Sequence, residues 1–369
     1  MLIGNDIAAI HKLISNRLDE SAIGDKFISG IIGDGPSDYS KSPALWNAAF
    51  RHLGMNAVYL PFDVDDAHVG ELLRALKESK RFMGINVTVP HKVRVMEFLD
   101  ELDPGAKRIQ AVNTVVNNRD GKLVGYNTDG EGFIDSVLVP PPEKLEAFMR
   151  SLDGIDVLLL GAGGSARAVA FHVSDQIGKG KLIIANRTFA HAAALAIEIQ
   201  KLGREAIAID ETEVAGWALK VGLVVNSTTK GQGGIRKLAH GMATTLEPYS
   251  ALAPANPPIL SERLGADFET KWRDSARADV EANNRTAEML AQSIPKDTRF
   301  YDLIYHPEET VFLRHGRLTG HQTMNGKNMI VCQAVIAFFR RICHRQLAEL
   351  TKDNEETFRE IARVMYRVW

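Results

Sequence analysis

The chain has 369 residues, 44 Lys+Arg against 46 Asp+Glu, 45% hydrophobic and 24% charged residues, proportions of a folded globular protein that exclude the disordered and fibrous classes. A formal charge of -2 gives no electrostatic reason to expect nucleic acid or an anionic membrane as partner. At about 100 to 200 residues per domain, the length predicts two domains.

The N-terminal Met1-Leu2-Ile3-Gly4-Asn5-Asp6 has neither the basic nor the apolar region of a secretory signal. No uninterrupted apolar run approaches the roughly 18 residues that span a bilayer. The two cysteines, Cys332 and Cys343, are too few for a disulfide framework, and the 11 histidines are scattered without ligand spacing. The expectation is a cytoplasmic protein with no metal site and both thiols in the core.

From Phe27 to Gly125 strand and helix patterns alternate. Strands are expected at 27–32, 57–60 and 85–89, and helices at 44–53, 72–82 and 93–99. Strands at 112–116 and 122–126 flank Asn118-Arg119-Asp120-Gly121, whose Asp-Gly pair suits a tight hairpin turn, and that pair is expected to close the sheet's edge. Pro140-Pro141-Pro142 marks a junction. Beyond it, Val157-Leu158-Leu159-Leu160 reads as a strand buried on both faces, followed by an Ala-rich helix and strands at 181–185, 223–225 and 301–305. Between about 233 and 297 the rhythm breaks at Pro248, Pro254, Pro257 and Pro258. Phe268, Trp272, Ala276 and Val280 then recur at helical spacing, so this stretch reads as an insertion with a surface helix. A last apolar helix is expected over 329–342.

The strand at 157–160 runs into Gly161-Ala162-Gly163-Gly164-Ser165-Ala166 and then a helix. A pyrophosphate needs such a loop, because side chains at the glycines would block its approach to the free N–H groups at the helix start. The next strand ends not in an acidic residue but in Asn186-Arg187-Thr188. The forked guanidinium of Arg187 suits a 2′-phosphate, so NADP is favoured over NAD. The same triplet at Asn284-Arg285-Thr286 follows no strand and is assigned no function.

In the first half, small polar and ionisable groups cluster at predicted strand ends and helix starts: Ser40-Lys41-Ser42-Pro43, Asn86-Val87-Thr88-Val89-Pro90-His91-Lys92, Ala111-Val112-Asn113-Thr114 and Gly125-Tyr126-Asn127-Thr128-Asp129-Gly130. Open α/β sheets bind ligands at such positions. Hydroxyls and amides suit a hydroxylated carboxylate substrate. Lys92, two residues past Pro90, fits an opening helical turn whose dipole would lower its pKa toward that of a general base. Singly, the serines also read as turn or cap residues, Asp129 as an N-cap and Lys92 as a solvated lysine; beside a dinucleotide loop, the ligand-binding reading is favoured.

These motifs, with Asp302-Leu303-Ile304-Tyr305 and Gly326-Lys327-Asn328-Met329-Ile330-Val331-Cys332-Gln333, occur in the order seen in the shikimate dehydrogenase family, which the chain resembles over about residues 30–338. The resemblance implies an α/β N-terminal substrate-binding domain over 29–138, completed by 322–369 as the last helices return to it. It further implies a Rossmann NADP-binding domain over 150–321 that contains the insertion at 233–297, and an N-terminal extension over 1–28. Reversible NADP-dependent reduction of 3-dehydroshikimate to shikimate, in aromatic amino-acid biosynthesis, is the implied activity, carried out by a monomer or homodimer on small-molecule substrates. By motif, Ser40 and Ser42 would hold the substrate carboxylate, and Asn86, Thr88, Asn113 and Gln333 its hydroxyls, with Tyr305 near the substrate. Lys92 and Asp129 would be the catalytic pair. Gly161, Ala162, Gly163, Gly164, Ser165, Ala166, Asn186, Arg187 and Thr188 would bind NADP, with Asn226 and Thr228 beside it.

The chain departs from the family pattern at several points. The run 33–39 is one residue longer than usual, Tyr39 and Trp46 stand where histidines are customary, and His191 takes the place of a second basic residue after Asn186-Arg187-Thr188. A dehydrogenase for quinate or another cyclohexene carboxylate, and a non-catalytic ligand sensor, are the alternative readings. Ser42 speaks against quinate, and retention of both Lys92 and Asp129 against a sensor.

Overall fold

The computed structural model describes residues 3–142 and 144–369. It divides into two compact units, Met1–Ala147 with Asn328–Trp369, and Phe148–Lys327.

The first unit is built on β1 (Phe27–Gly33), β2 (Ala57–Asp63), β3 (Phe82–Val87), β4 (Glu101–Leu102), β5 (Thr114–Asn117) and β6 (Leu123–Tyr126), in the order β2-β1-β3-β5-β6-β4. β1, β2 and β3 are parallel, and β5 is antiparallel to both β3 and β6. The hairpin therefore does not close the sheet: the two-residue β4 pairs outside β6. The helix expected to run to Phe82 occupies Val69–Glu78 instead, because Phe82 and Met83 are needed as buried strand residues of β3. The segment before β1 is part of this core, with Ile7, Ile10 and Ile23 buried, and its Ser15 and Asn16 bond to the backbone of Pro61 and Asp63 along the β2 edge.

On the other face, the helix Ser42–Leu53 packs with the returning C-terminal segment. Trp46, fully buried, stacks on Tyr59 at 4.7 Å between centroids and meets Phe338 at 5.0 Å; the tryptophan in place of a histidine is thus a core residue. The expected single helix over 329–342 is an α-helix, Lys327–Ile336, continued by one π-helical stretch, Ala337–Ile342. Cys343 is a core residue and Cys332 is half-buried; burial pushes the Cys332 thiol up to about 12 and the Cys343 thiol well above its ordinary value.

The second unit holds β7 (Val157–Leu160), β8 (Leu182–Ala185), β9 (Ala206–Ile209), β10 (Leu223–Asn226), β11 (Ile235–Leu238), β12 (Met242–Thr245), β13 (Leu260–Ser261), β14 (Arg299–Asp302) and β15 (Thr323–Met324). Its main sheet is all parallel, in the order β15-β14-β10-β7-β8-β9. The chain starts this sheet in the middle and winds outward both ways, so the end of β7 lies at the switch point where such sheets bind ligands. The strand expected to reach Tyr305 stops at Asp302.

The insertion is more than a surface helix. β11, β12 and β13 form an antiparallel sheet of their own, whose short strands carry little alternation to betray them. The helix Phe268–Ser293 packs Phe268, Trp272 and Ala276 into that small core and Ala287 and Ala291 into the core of the parallel sheet. Trp272 Nε1 donates to Thr244 Oγ1 and Pro258 O at 3.1 and 2.9 Å.

Among the described residues no helix is long and apolar enough to cross a membrane, and no group of three His, Cys, Asp or Glu side chains is arranged to hold a metal ion.

Candidate active site

In the first unit the candidate residues gather around the C-terminal ends of β1 and β3 and the start of β5. Ser40 ends the short helix Pro36–Tyr39, and its Oγ accepts from Ser42 N at 3.2 Å. The loop that carries it is fixed by Asp63, whose carboxylate accepts from Ser37 N at 2.9 Å and from Ser37 Oγ. The Tyr39 hydroxyl lies beside Thr88, and partial burial raises its pKa despite that neighbour.

Asn86, near the end of β3, is buried. Its Oδ1 accepts from Tyr59 Oη at 2.8 Å, and its Nδ2 donates to Thr114 Oγ1 at 3.0 Å and Asn113 O at 3.2 Å. Thr114 Oγ1 in turn donates to Asn113 Oδ1 at 3.0 Å. Asn113 Nδ2 reaches Asp129 Oδ1 at 2.8 Å and Gln333 Oε1 at 3.3 Å. Gln333 is brought here because Gly132 leaves no side chain in its way: a Cβ there would stand 2.6 Å from the Gln333 Cβ.

Lys92 Nζ donates to Asp129 Oδ2 at 2.5 Å, with the two side chains only 16% and 7% exposed. Lys92 does not open a helix. It lies in the turn before the 3-10 helix Arg94–Phe98, inside the loop that Val95 N closes onto His91 O. The expected dipole effect on Lys92 is therefore replaced by a carboxylate partner. Asp129 is itself the first residue of the helix Asp129–Leu138, whose N-terminal dipole favours its negative charge. A lysine held against a buried carboxylate, ringed by amides and hydroxyls, can exchange a proton with a substrate oxygen placed beside it.

In the second unit, Gly161 leaves β7 with φ of +111°, and a Cβ there would lie 2.7 Å from Ser227 Oγ, so only glycine fits. Ala162 follows, and Gly163 is the N-cap of the helix Gly164–Gln176, which no side chain caps. A Cβ on Gly163 or Gly164 would meet nothing within 4 Å. Ser165 and Ala166 lie in the first turn. Open space over uncapped N–H groups fits a dinucleotide pyrophosphate. Beyond β8, Asn186 Nδ2 donates to Thr188 O at 3.0 Å, and Arg187 is exposed without an ion pair among the described residues.

Asn226 and Thr228 are turned inward. Asn226, fully buried, donates to Asp302 Oδ1 and Lys230 O at 3.0 and 3.1 Å and accepts from Thr228 Oγ1 at 2.7 Å. They shape the loop after β10 through their own side-chain bonds. Asp302, within the Asp-Leu-x-Tyr motif, also accepts from Ile304 N and Thr310 Oγ1 at 2.9 and 2.7 Å, and full burial pushes its carboxyl up to about 7. Tyr305 lies in the loop after β14 in this same unit.

Sequence reasoning singles out neither Asp302 nor Tyr59 nor Thr114 as a site residue. Asp302 and Thr114 stand in motifs already quoted, though neither is given a role; Tyr59 reads as an ordinary strand residue and carries no local signal. A groove of about 830 Å³ lined by Phe268, Trp272, Arg273, Arg277 and Arg314 lies between the insertion and the segment 307–314 and includes none of the candidate residues.

A glycine loop at the switch point of a parallel sheet, in one chain with a buried Lys–Asp pair on a second α/β unit, has the architecture of a two-domain dinucleotide-dependent oxidoreductase. Comparison with known proteins agrees. The shikimate dehydrogenase substrate binding domain matches residues 31–115, and the shikimate / quinate 5-dehydrogenase family matches residues 143–239. A shikimate dehydrogenase (NADP(+)) of Desulforamulus reducens is 33% identical over 334 residues, 87% of this chain and 96% of that protein. The structure of shikimate 5-dehydrogenase from Thermus thermophilus in complex with NADP(H) and shikimate is 25% identical with a TM-score of 0.62, covering 92% of this chain and 99% of that one. Quinate dehydrogenase from Corynebacterium glutamicum in complex with NAD is 26% identical with a TM-score of 0.65, covering 91% and 98%. The chain belongs to the shikimate dehydrogenase family.

Proposed function

We propose that this protein catalyses the reversible, NADP-linked reduction of 3-dehydroshikimate to shikimate, with Lys92 and Asp129 as its proton-transferring pair. The observation that carries the reading is the 2.5 Å contact of Lys92 Nζ with Asp129 Oδ2 inside a network of amides and hydroxyls. The names of the relatives support the substrate and the cofactor. Ser40 and Ser42 receive the substrate carboxylate, and Asn86, Thr88, Asn113 and Gln333 its hydroxyls. The loop Gly161–Ala166 and the triplet Asn186-Arg187-Thr188 hold NADP, which when bound supplies or accepts the hydride. In the reducing direction the Lys92 ammonium gives its proton to the substrate oxygen as that oxygen gains negative charge. Asp129, anchored through its other oxygen by Asn113 Nδ2, keeps the ammonium in line. The reaction belongs to aromatic amino-acid biosynthesis, in the cytoplasm, by a monomer or homodimer.

Steady-state assays of the pure protein with shikimate and quinate, each with NADP and NAD, test the proposal. Shikimate with NADP is expected to give the highest kcat/KM. A preference for quinate would move the protein to the quinate reading, and tight binding of shikimate without turnover would make it a sensor.

A further inference from the structure

The substrate serines and the catalytic pair belong to different elements, yet one line of buried side-chain contacts joins them. It starts at Tyr59, whose hydroxyl lies beside Ser42. It passes from Tyr59 Oη to Asn86 Oδ1, from Asn86 Nδ2 to Thr114 Oγ1, from Thr114 Oγ1 to Asn113 Oδ1, from Asn113 Nδ2 to Asp129 Oδ1, and ends at Lys92. Tyr59 and Thr114 are 1% and 0% exposed, so neither touches substrate. Among the described residues, each links two groups assigned to ligand through its hydroxyl. Directionality gives these hydroxyls their importance. An amide offers one acceptor and one donor end. Tyr59 donates to Asn86 Oδ1, which turns Asn86 Nδ2 to Thr114. Thr114, having accepted there, donates its own proton to Asn113 Oδ1, which turns Asn113 Nδ2 to Asp129. Reversing Asn86 would set its Oδ1 against Asn113 O, and reversing Asn113 would set its Oδ1 against Asp129 and its Nδ2 against Thr128 N, so with these orientations the two hydroxyls complete a single donor order. The ring of Tyr59 is itself immobilised, stacked on Trp46 and held at its backbone by Asn47 through two bonds of 2.9 Å.

We propose that Tyr59 and Thr114 are positioning residues that set the orientation of the Asn86 and Asn113 amides, and through them align the substrate hydroxyls with the Lys92–Asp129 pair. The inference rests on the proposed function and deepens it.

The test begins with Tyr59→Phe, which removes the hydroxyl and keeps the stacked ring. The KM for shikimate should rise about tenfold, the scale of one lost hydrogen bond with its partner left unsatisfied, while the KM for NADP stays within twofold. Thr114→Val should lower kcat/KM for shikimate by a similar factor, and Thr114→Ser, which restores the hydroxyl, should recover most of it. Titration calorimetry of shikimate into the same proteins reads the alignment without turnover. Shikimate binding by a wild type that turns nothing over would remove the proposed activity, with the weakened binding of Tyr59→Phe still supporting the positioning role. Wild-type kinetics and shikimate affinity in Tyr59→Phe, with only a lowered melting temperature, would overturn it. So would a Thr114→Ser protein as impaired as Thr114→Val, since a methyl contact would then be the cause. If Tyr59→Phe fails to fold, the two Thr114 variants decide the matter.

Discussion

Asn113 Nδ2 donates to Asp129 Oδ1 at 2.8 Å while Lys92 Nζ holds Asp129 Oδ2 at 2.5 Å, so both oxygens of this buried carboxylate are engaged from different elements. Removing the lysine therefore leaves a carboxylate that is still oriented. Lys92→Ala should fold and bind substrate but lose roughly a hundredfold or more in kcat, the usual scale for a general acid or base. The KM for shikimate should change far less, because the carboxylate and hydroxyl contacts are assigned to other residues. Asp129→Asn should also be slow, and the double variant little worse than the worse single one, since groups acting as a unit are not additive. Near wild-type kcat in Lys92→Ala would return Lys92 to a structural role.

Arg187 carries the second expectation. It is exposed and free of ion pairs among the described residues, and the family's second basic position is filled by His191. On the proposed NADP reading, most of the 2′-phosphate recognition would fall on one guanidinium. Arg187→Ala should raise the KM for NADP by roughly 10- to 100-fold, corresponding to about 1.5–3 kcal/mol of charge-assisted hydrogen bonding, and leave the KM for NAD nearly unchanged. Equal effects on both cofactors would show that the arginine does not read the phosphate.

The residues that are legible in the sequence share one property: their chemistry is local. The glycine loop announces itself because a strand, three glycines and a helix follow one another along the chain, and Lys92 and Asp129 sit in runs dense with polar groups. The link that Tyr59 and Thr114 make between the two amides cannot be read that way, even though Thr114 stands in such a run, since it arises from strand pairing that brings β2, β1, β3 and β5 into one sheet. Asn226 is placed beside the cofactor only by the family resemblance, and the bond of its amide to Asp302, 76 positions further on, has no local signal in the sequence. The small sheet of the insertion leaves no pattern to read, because β13 has only two residues and β11 is largely exposed.

Gly132 tests whether the returning C-terminal segment must approach the helix Asp129–Leu138 as closely as it does. The gap admits no Cβ, as the Gln333 backbone N would lie 2.7 Å from it. Backbone cannot swing aside as a flexible side chain can, so Gly132→Ala should destabilise the protein by about 1–3 kcal/mol, the cost of overpacking a tight site. It should also weaken shikimate binding by displacing Gln333. A melting curve and a shikimate titration report the two effects, and an unchanged melting temperature would mean that the two helices can separate freely.

Asp302 makes stability depend on pH in a direction opposite to most carboxylates. Its carboxyl is pushed from the ordinary value of 3.8 up to about 7 by full burial, against three hydrogen bonds that favour the charged form. The folded protein therefore keeps this proton over a range where the unfolded chain has released it. The sign follows: the contribution is fully present below about pH 4, is lost as pH rises through about 7, and is constant above that. Asp302→Asn is neutral at every pH, and its amide can still accept from Asn226 Nδ2 and Ile304 N and turn its NH2 toward Thr310 Oγ1. The variant should thus gain on the wild type in unfolding free energy as pH is raised from 5 to 8, measured by denaturant titration at each pH. A difference between the two that is flat across this range, or that moves the other way, would show that Asp302 is already ionised in the fold at pH 5.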